Sequence, residues 1–288
     1  MLTIYSFAVV SSNWYKPTHR CSVEQRLRLF VQVCHAVQQA HQKGIIHRDI
    51  KPSNVLVAQS DDRQIPKVID FGITKAIGPD ATGKTPFTEL GQLIGTQEYM
   101  SPEQATLNPL DVETRSDVYS LGVLLYELVS GTTPFDRERL RTIAFDEMLR
   151  LIRHEEPLKP SKRLCTLQNL GSVANSRRTD ATKLYKLVRG ELDWIVMKAL
   201  EKDCDRRYTS ASDLAADIDR YLQDDPVLAC PPSIGYRTKK FVRRNRMTDS
   251  AALITAKRAD RWNRSRNLAG YASSQRSSSD GNRQATTR

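Results

Sequence analysis

The stretch His47-Arg48-Asp49-Ile50-Lys51-Pro52-Ser53-Asn54 governs how the rest of the chain is read. It is followed by Asp70-Phe71-Gly72 and then by Gly95-Thr96-Gln97-Glu98-Tyr99-Met100-Ser101-Pro102-Glu103. Around it lie three apolar runs, Ile45-Ile46, Val55-Leu56-Val57 and Lys67-Val68-Ile69, with the polar turn Asp61-Asp62-Arg63 between the last two. Such runs between turn residues read as short strands. Asp49, Asn54 and Asp70 then converge from loop ends held by a small sheet. Carboxylate and amide oxygens are the donors that a hard cation such as Mg²⁺ prefers. Gly72 lets the backbone turn sharply just after Asp70. Taken singly, an Asp before an apolar residue is a solvated loop residue, and Asp-Phe-Gly is a turn. Together and in order they form a constellation.

The periodic segments around this constellation are helical. Ser22 and Gln25 make a capping-box pattern. Leu27, Phe30, Val31, Cys34 and Val37 then recur on one face, and Gly44 supplies a stop. A second helix begins at Ser116-Asp117-Val118-Tyr119-Ser120-Leu121-Gly122 and runs to Val129, with Ser116 as its cap and Gly131 at its end. It carries Leu121, Leu124, Leu125 and Leu128, but Val118, Val123 and Val129 make it apolar nearly all round. Such a helix sits at a domain centre. Residues 142–154 read as an amphipathic helix and residues 163–178, rich in Ser, Asn and Arg, as an irregular insertion loop. Residues 191–200 and 210–222 read as two further helices, the latter with Leu214, Ile218 and Tyr221 on one face. Residues 1–20 show no period.

In this order and at these distances, the three motifs closely resemble the catalytic loop, the metal-binding turn and the end of the activation segment of protein kinases. Lys51, two residues after Asp49, points to the serine/threonine branch. The chain from about Ser22 to about Pro232 is similar to a bacterial subgroup of eukaryotic-like serine/threonine kinases. The resemblance implies a mainly α fold with a few short β-strands, the large lobe of a protein kinase. It implies ATP and Mg²⁺ as cofactors and a protein hydroxyl as phosphate acceptor. Asp49 would aim that hydroxyl and take its proton. Lys51 would offset charge on the transferring phosphate, and Asn54 and Asp70 would hold the metal. Thr96 would bond Asp49 and Lys51. Glu103 would pair with a distant arginine, Arg207, and Asp117 would bond the backbone of the catalytic loop. His47 would pack and hydrogen-bond beneath it. In the Gly- and Thr-rich segment 71–103, Thr85 or Thr88 is the expected phosphate carrier. Arg48 would pair with that phosphate, or equally with a carboxylate. His35 and His41, with no other ligand residues near them, read as structural.

A complete kinase domain also has a small β-rich lobe. Here the catalytic loop begins at residue 47, no Gly-x-Gly-x-x-Gly occurs, and no Val-Ala-Ile-Lys-like strand precedes the loop. The expectation is therefore a large lobe without the small one, and weak catalysis from this chain alone. One alternative is an inactive kinase fragment or pseudokinase that binds proteins. Another is a nucleic-acid binder using a basic tail, although Trp262 and Tyr271 are thin support for base stacking.

At 288 residues and 39% hydrophobic, the chain can build a sizeable core. Its net charge of +11 is concentrated: residues 237–288 hold fourteen Lys or Arg and three Asp, which leaves thirty of each sign elsewhere. Blocks of this kind are usually disordered tails, and they attract acidic partners. Cys21, Cys34, Cys165, Cys204 and Cys230 show no Cys-x-x-Cys spacing, so neither zinc nor a disulfide framework is expected. No apolar run approaches the length of a membrane span. A cytoplasmic, reducing setting follows as the expectation. The expected layout is an undetermined segment 1–21, a kinase large lobe 22–232, and a basic, disordered tail 233–288. Binding of DNA, RNA or anionic vesicles should be salt-sensitive and should vanish on deleting residues 237–288. Binding that survives the deletion in a titration would refute the attribution to the tail.

Overall fold

The computed structural model of the chain describes residues 9–10, 21–60, 63–71, 97–106, 108, 112–231, 235–236 and 240. The chain divides into two compact units, Met1–Pro232 and Ser233–Arg288. The tail beyond residue 240 lies outside the described residues. The first unit is mainly helical, with one small sheet.

Helix α1, Val23–His41, starts with the predicted capping box: Gln25 N donates to Ser22 Oγ at 3.2 Å, and Ser22 N donates to Gln25 Oε1 at 2.9 Å. Its apolar face, including Leu27, Phe30, Cys34 and Val37, is buried. A turn through Gly44, at φ +73°, leads to the catalytic loop. Strands β2, Val55–Ser60, and β3, Arg63–Val68, pair antiparallel with Val55 opposite Val68. Strand β1, Val9–Val10, lies on the other side of β2, with Val9 opposite Ala58. Two residues are too few to show a period, which is why the sequence offers no sign of β1. Ile45-Ile46 is not a strand, contrary to expectation. Ile45 N instead donates to Ala40 O at 3.0 Å, so its backbone closes the end of α1.

Helix α2, Thr114–Ser130, is the centre of this unit, and every residue from Ser116 to Ser130 is buried. It begins two residues before Ser116, whose hydroxyl does not cap it but donates to Glu103 Oε1 at 2.8 Å. The helix predicted over 142–154 is present as helix α4, Phe145–His154, and a short helix α3, Arg137–Thr142, that was not predicted precedes it. The break falls at Ile143, which is extended and packs on a cluster of Phe135, Leu140, Met148 and Ile152.

The predicted insertion loop 163–178 is also largely helical. It contains most of α5, Pro160–Thr166, and α6, Leu170–Ser176, and α7, Ala181–Val188, follows. Its polar residues do structural work that a periodicity count cannot see. The buried Arg177 guanidinium donates to Leu128 O at 2.7 Å and to Glu127 O at 3.3 Å, so it covers carbonyls at the C-terminal end of α2. A cation there also opposes the helix dipole. Burial and the nearby Arg26 charge push the Arg177 pKa down to about 9. Helix α8, Glu191–Ala199, packs on α2, and helix α9, Ala211–Leu222, packs on α1. A Cβ on Gly122 would lie 2.8 Å from Ala199 Cβ, so α2 and α8 approach as closely as glycine allows.

The far end of the activation segment is fastened by Glu103. Arg207 holds it with both arms, Nη1 to Oε1 at 2.6 Å and Nη2 to Oε2 at 2.8 Å. Arg207 also donates to the carbonyls of Glu201, Arg115 and Lys202, and its guanidinium lies over the Tyr119 ring. Burial pushes the Glu103 carboxyl up, but the hydrogen bonds and charge of Arg207 reverse this and hold it below its ordinary value of 4.5. A depressed folded-state pKa adds stability above pH 4.5, and this is lost as pH falls through the folded value. Arg207→Met should cost about 1–3 kcal/mol by leaving the half-buried Glu103 without its cation. It should also flatten the acid limb of stability against pH. Denaturant melts from pH 3 to pH 7 check both expectations.

Candidate active site

The catalytic loop hangs from one carboxylate. Asp117, in the first turn of α2, is fully buried. Its Oδ1 accepts from Arg48 N at 2.8 Å, and its Oδ2 accepts from His47 N at 2.8 Å. His41 Nε2, at the end of α1, lies 2.7 Å from the same Oδ2. Arg48 sits at φ +64°, a left-handed conformation that costs a non-glycine residue about 1–2 kcal/mol. Asp117 holds that strained residue by its N–H. Gln104 Nε2 holds it by its carbonyl, donating to Arg48 O at 2.8 Å.

Beneath the loop, buried His47 places Nε2 3.0 Å from Ile69 O, and its ring stacks at a tilt on Phe71 at 4.6 Å between centroids. The loop and the Asp70 turn are thereby joined. Ile69 N adds a bond to Asn54 O at 2.9 Å. Asp70 itself is at φ +57°, a conformation that Asp tolerates better than most residues, and it is exposed.

Asp49 is the junction of the loop's side chains. Lys51 Nζ lies 2.8 Å from Asp49 Oδ2. Asn54 Nδ2 donates to Asp49 O at 2.9 Å and to Asp49 Oδ2 at 3.3 Å. Asp49 Oδ1 is buried and has no hydrogen-bond partner among the described residues. Donating its amide to Asp49 leaves Asn54 its Oδ1, which accepts only a long bond of 3.3 Å from Ser53 Oγ among the described residues. An amide oxygen and the exposed Asp70 carboxylate, on segments joined by the Ile69–Asn54 backbone bond, are donors of the kind that suits Mg²⁺. The predicted Asp49, Lys51, Asn54, Asp70, Arg48 and Asp117 are thus brought together, and Glu103 and Arg207 are paired behind them. Thr85, Thr88 and Thr96 lie outside the described residues.

Residues 9–218 match the protein kinase domain family. The chain belongs to the protein kinase family. It is 34% identical over 203 residues to the serine/threonine-protein kinase PknB of Mycobacterium leprae, covering 70% of this chain and 27% of that protein. It is 35% identical over 198 residues to a probable serine/threonine-protein kinase of Corynebacterium efficiens, covering 69% and 26% respectively. The chain therefore spans about a quarter of the length of these relatives. A double mutant of the Mycobacterium tuberculosis PknI kinase domain superposes with a TM-score of 0.47 at 21% identity, over 75% of this chain and 63% of that one.

Three supports of this kinase site escaped sequence reasoning. His41 reads as a structural histidine from its neighbours in sequence, yet it shares Asp117 with the catalytic loop. Gln104 carries no signal beyond its place after Glu103. The third is a buried group at the end of the activation segment. There the Tyr99 hydroxyl donates to Glu127 Oε2, and Arg137 Nη2 donates to Glu127 Oε1 at 2.6 Å. Burial pushes the Glu127 carboxyl up, against the opposing charge of Arg137. Glu127 sits in an otherwise apolar helix, and only that misfit could have flagged it.

Among the described residues, no helix is long and apolar enough to cross a membrane. Asp117→Ala should strand the amides of His47 and Arg48 together with His41, at about 1–3 kcal/mol for each unsatisfied group. Equilibrium unfolding in urea is the measurement. A loss below that of one such group would contradict the anchoring role.

Proposed function

We propose that this kinase-family chain transfers the γ-phosphate of Mg-ATP to serine or threonine hydroxyls of proteins. The observation that carries the reading is the state of Asp49. One of its oxygens is paired with the Lys51 ammonium and hydrogen-bonded by the Asn54 amide, while the other is shielded from solvent without a partner among the described residues. An oxygen in that state is placed to accept a hydroxyl proton, and leaving it unpaired carries a cost.

In this reading Asp49 orients the acceptor hydroxyl and takes its proton as the bond to phosphorus forms. Lys51 then offsets charge on the transferring group. Asn54 and Asp70 hold Mg²⁺, which when bound neutralises the phosphate oxygens. Lys51 two positions after Asp49 supports the serine/threonine branch, as does similarity to relatives named as serine/threonine kinases. Arg48 is assigned to a phosphate on Thr85 or Thr88 of the activation segment.

Phosphorylation of a generic protein substrate is measured with the chain alone and with the small lobe of a related kinase fused at its N-terminus. Asp49→Asn should lower turnover about 10²–10⁴-fold, the span typical of a lost general base. Asp70→Asn should shift the Mg²⁺ titration to higher concentration. If neither form phosphorylates any substrate, or if Asp49→Asn turns over like the parent, the reading is wrong.

A further inference from the structure

Residue Arg48, just before Asp49, is clamped on both of its flanking peptides, and only one of the clamps belongs to the central helix. Asp117 takes the N–H of Arg48, and the Gln104 side-chain amide takes its carbonyl at 2.8 Å. Gln104 lies fifty-six residues along the chain from Arg48, just past the end of the activation segment. Gln104 is itself fixed through both its side chain and its backbone. Ser101 N donates to Gln104 Oε1 at 2.9 Å, and Gln104 N donates to Ser101 Oγ at 3.3 Å. This is a capping box around the short turn Gln104–Thr106. With Oε1 committed to Ser101 N, the amide nitrogen has one orientation, and it is aimed at Arg48 O. The box is tied in turn to the body, because its neighbour Glu103 is gripped by Arg207 and Ser116.

We propose that Gln104 is a positioning residue for the phosphotransfer reaction. By this proposal it locks the left-handed Arg48 peptide, and so the direction of the Asp49 carboxylate, to the C-terminal end of the activation segment. The inference rests on the assignment of Asp49 as the group that aims the acceptor hydroxyl. A left-handed Arg48 relaxes towards right-handed or extended backbone when released. Rotation of that peptide swings the next residue, so a small loss of restraint at Arg48 becomes a loss of aim at Asp49. Catalysis by positioning is sensitive to displacements of that size. The bond also gives the activation segment a direct mechanical route to the catalytic loop that involves no phosphate.

Gln104→Glu separates this role from a merely structural one. Glutamate keeps the acceptor for Ser101 N but has no N–H for Arg48 O. Gln104→Met removes both bonds and guards against an effect of the new charge. Hydrogen–deuterium exchange is measured on the whole chain, without nucleotide, at single-residue resolution. Both variants should speed exchange at the His47 and Arg48 amides about tenfold, the worth of one lost hydrogen bond, while the melting temperature stays nearly unchanged. Ser101→Ala, which loosens the box and leaves the Gln104 amide in place, should leave those two amides near their parental rates. Unchanged exchange in both Gln104 variants would overturn the proposal. So would equal acceleration in Ser101→Ala. Because no nucleotide is present, the result stands apart from phosphotransfer. Failure of every phosphorylation assay would sink the catalytic reading and leave the exchange result intact.

Discussion

A single buried carboxylate, Asp117, is what the active-site geometry depends on. It sits where the first turn of the central helix presents a partial positive charge, which favours an anion. Its two oxygens accept two consecutive loop amides, and the nearby His41 ring completes its surroundings. The loop could not otherwise bury those amides, because an unpaired amide in the core costs as much as a lost hydrogen bond. Nor could Arg48 hold its left-handed backbone without an external restraint. The strain is stored beside the reacting group and is met by bonds from two distant parts of the chain.

The central helix is a firm support because it is buried and closely packed. It is covered on all sides, it approaches α8 at glycine distance, and its C-terminal carbonyls are taken by Arg177. Arg177 comes from a segment whose sequence reads as an irregular insertion loop. That segment is tied to the frame by the Arg177 guanidinium. Glu103 with Arg207, and Tyr99 with Glu127 and Arg137, tie the end of the activation segment to the same frame. Each pairs an acid with an arginine, and the Arg207–Glu103 pair is bidentate, as a planar guanidinium allows.

The motif that brings Asp49, Lys51 and Asn54 together was legible because its residues are local. Asp49, Lys51 and Asn54 lie within six positions, and Asp70 stands next to a distinctive Phe-Gly. The failures were of another kind. Ile45-Ile46 looks like a strand by composition, but its backbone is claimed by the end of α1. Ser116 looks like a cap, but its hydroxyl is drawn to Glu103. In the first place a neighbouring helix end claims the backbone, and in the second a partner thirteen residues away draws the hydroxyl, so composition alone misleads in both.

The sequence by itself determined the helices with a clear apolar face, the mainly α class, the order of the motifs and the residue types that phosphoryl transfer needs. These depend on spacing along the chain, and spacing is what a sequence records. Tertiary structure alone decided that His41 and the catalytic loop share one carboxylate, that Arg177 closes the central helix, and that Gln104 reaches Arg48 across fifty-six residues. Those bonds join polar side chains whose local surroundings are unremarkable. Their strength comes from burial and from meeting in space, and both exist only once the chain has folded.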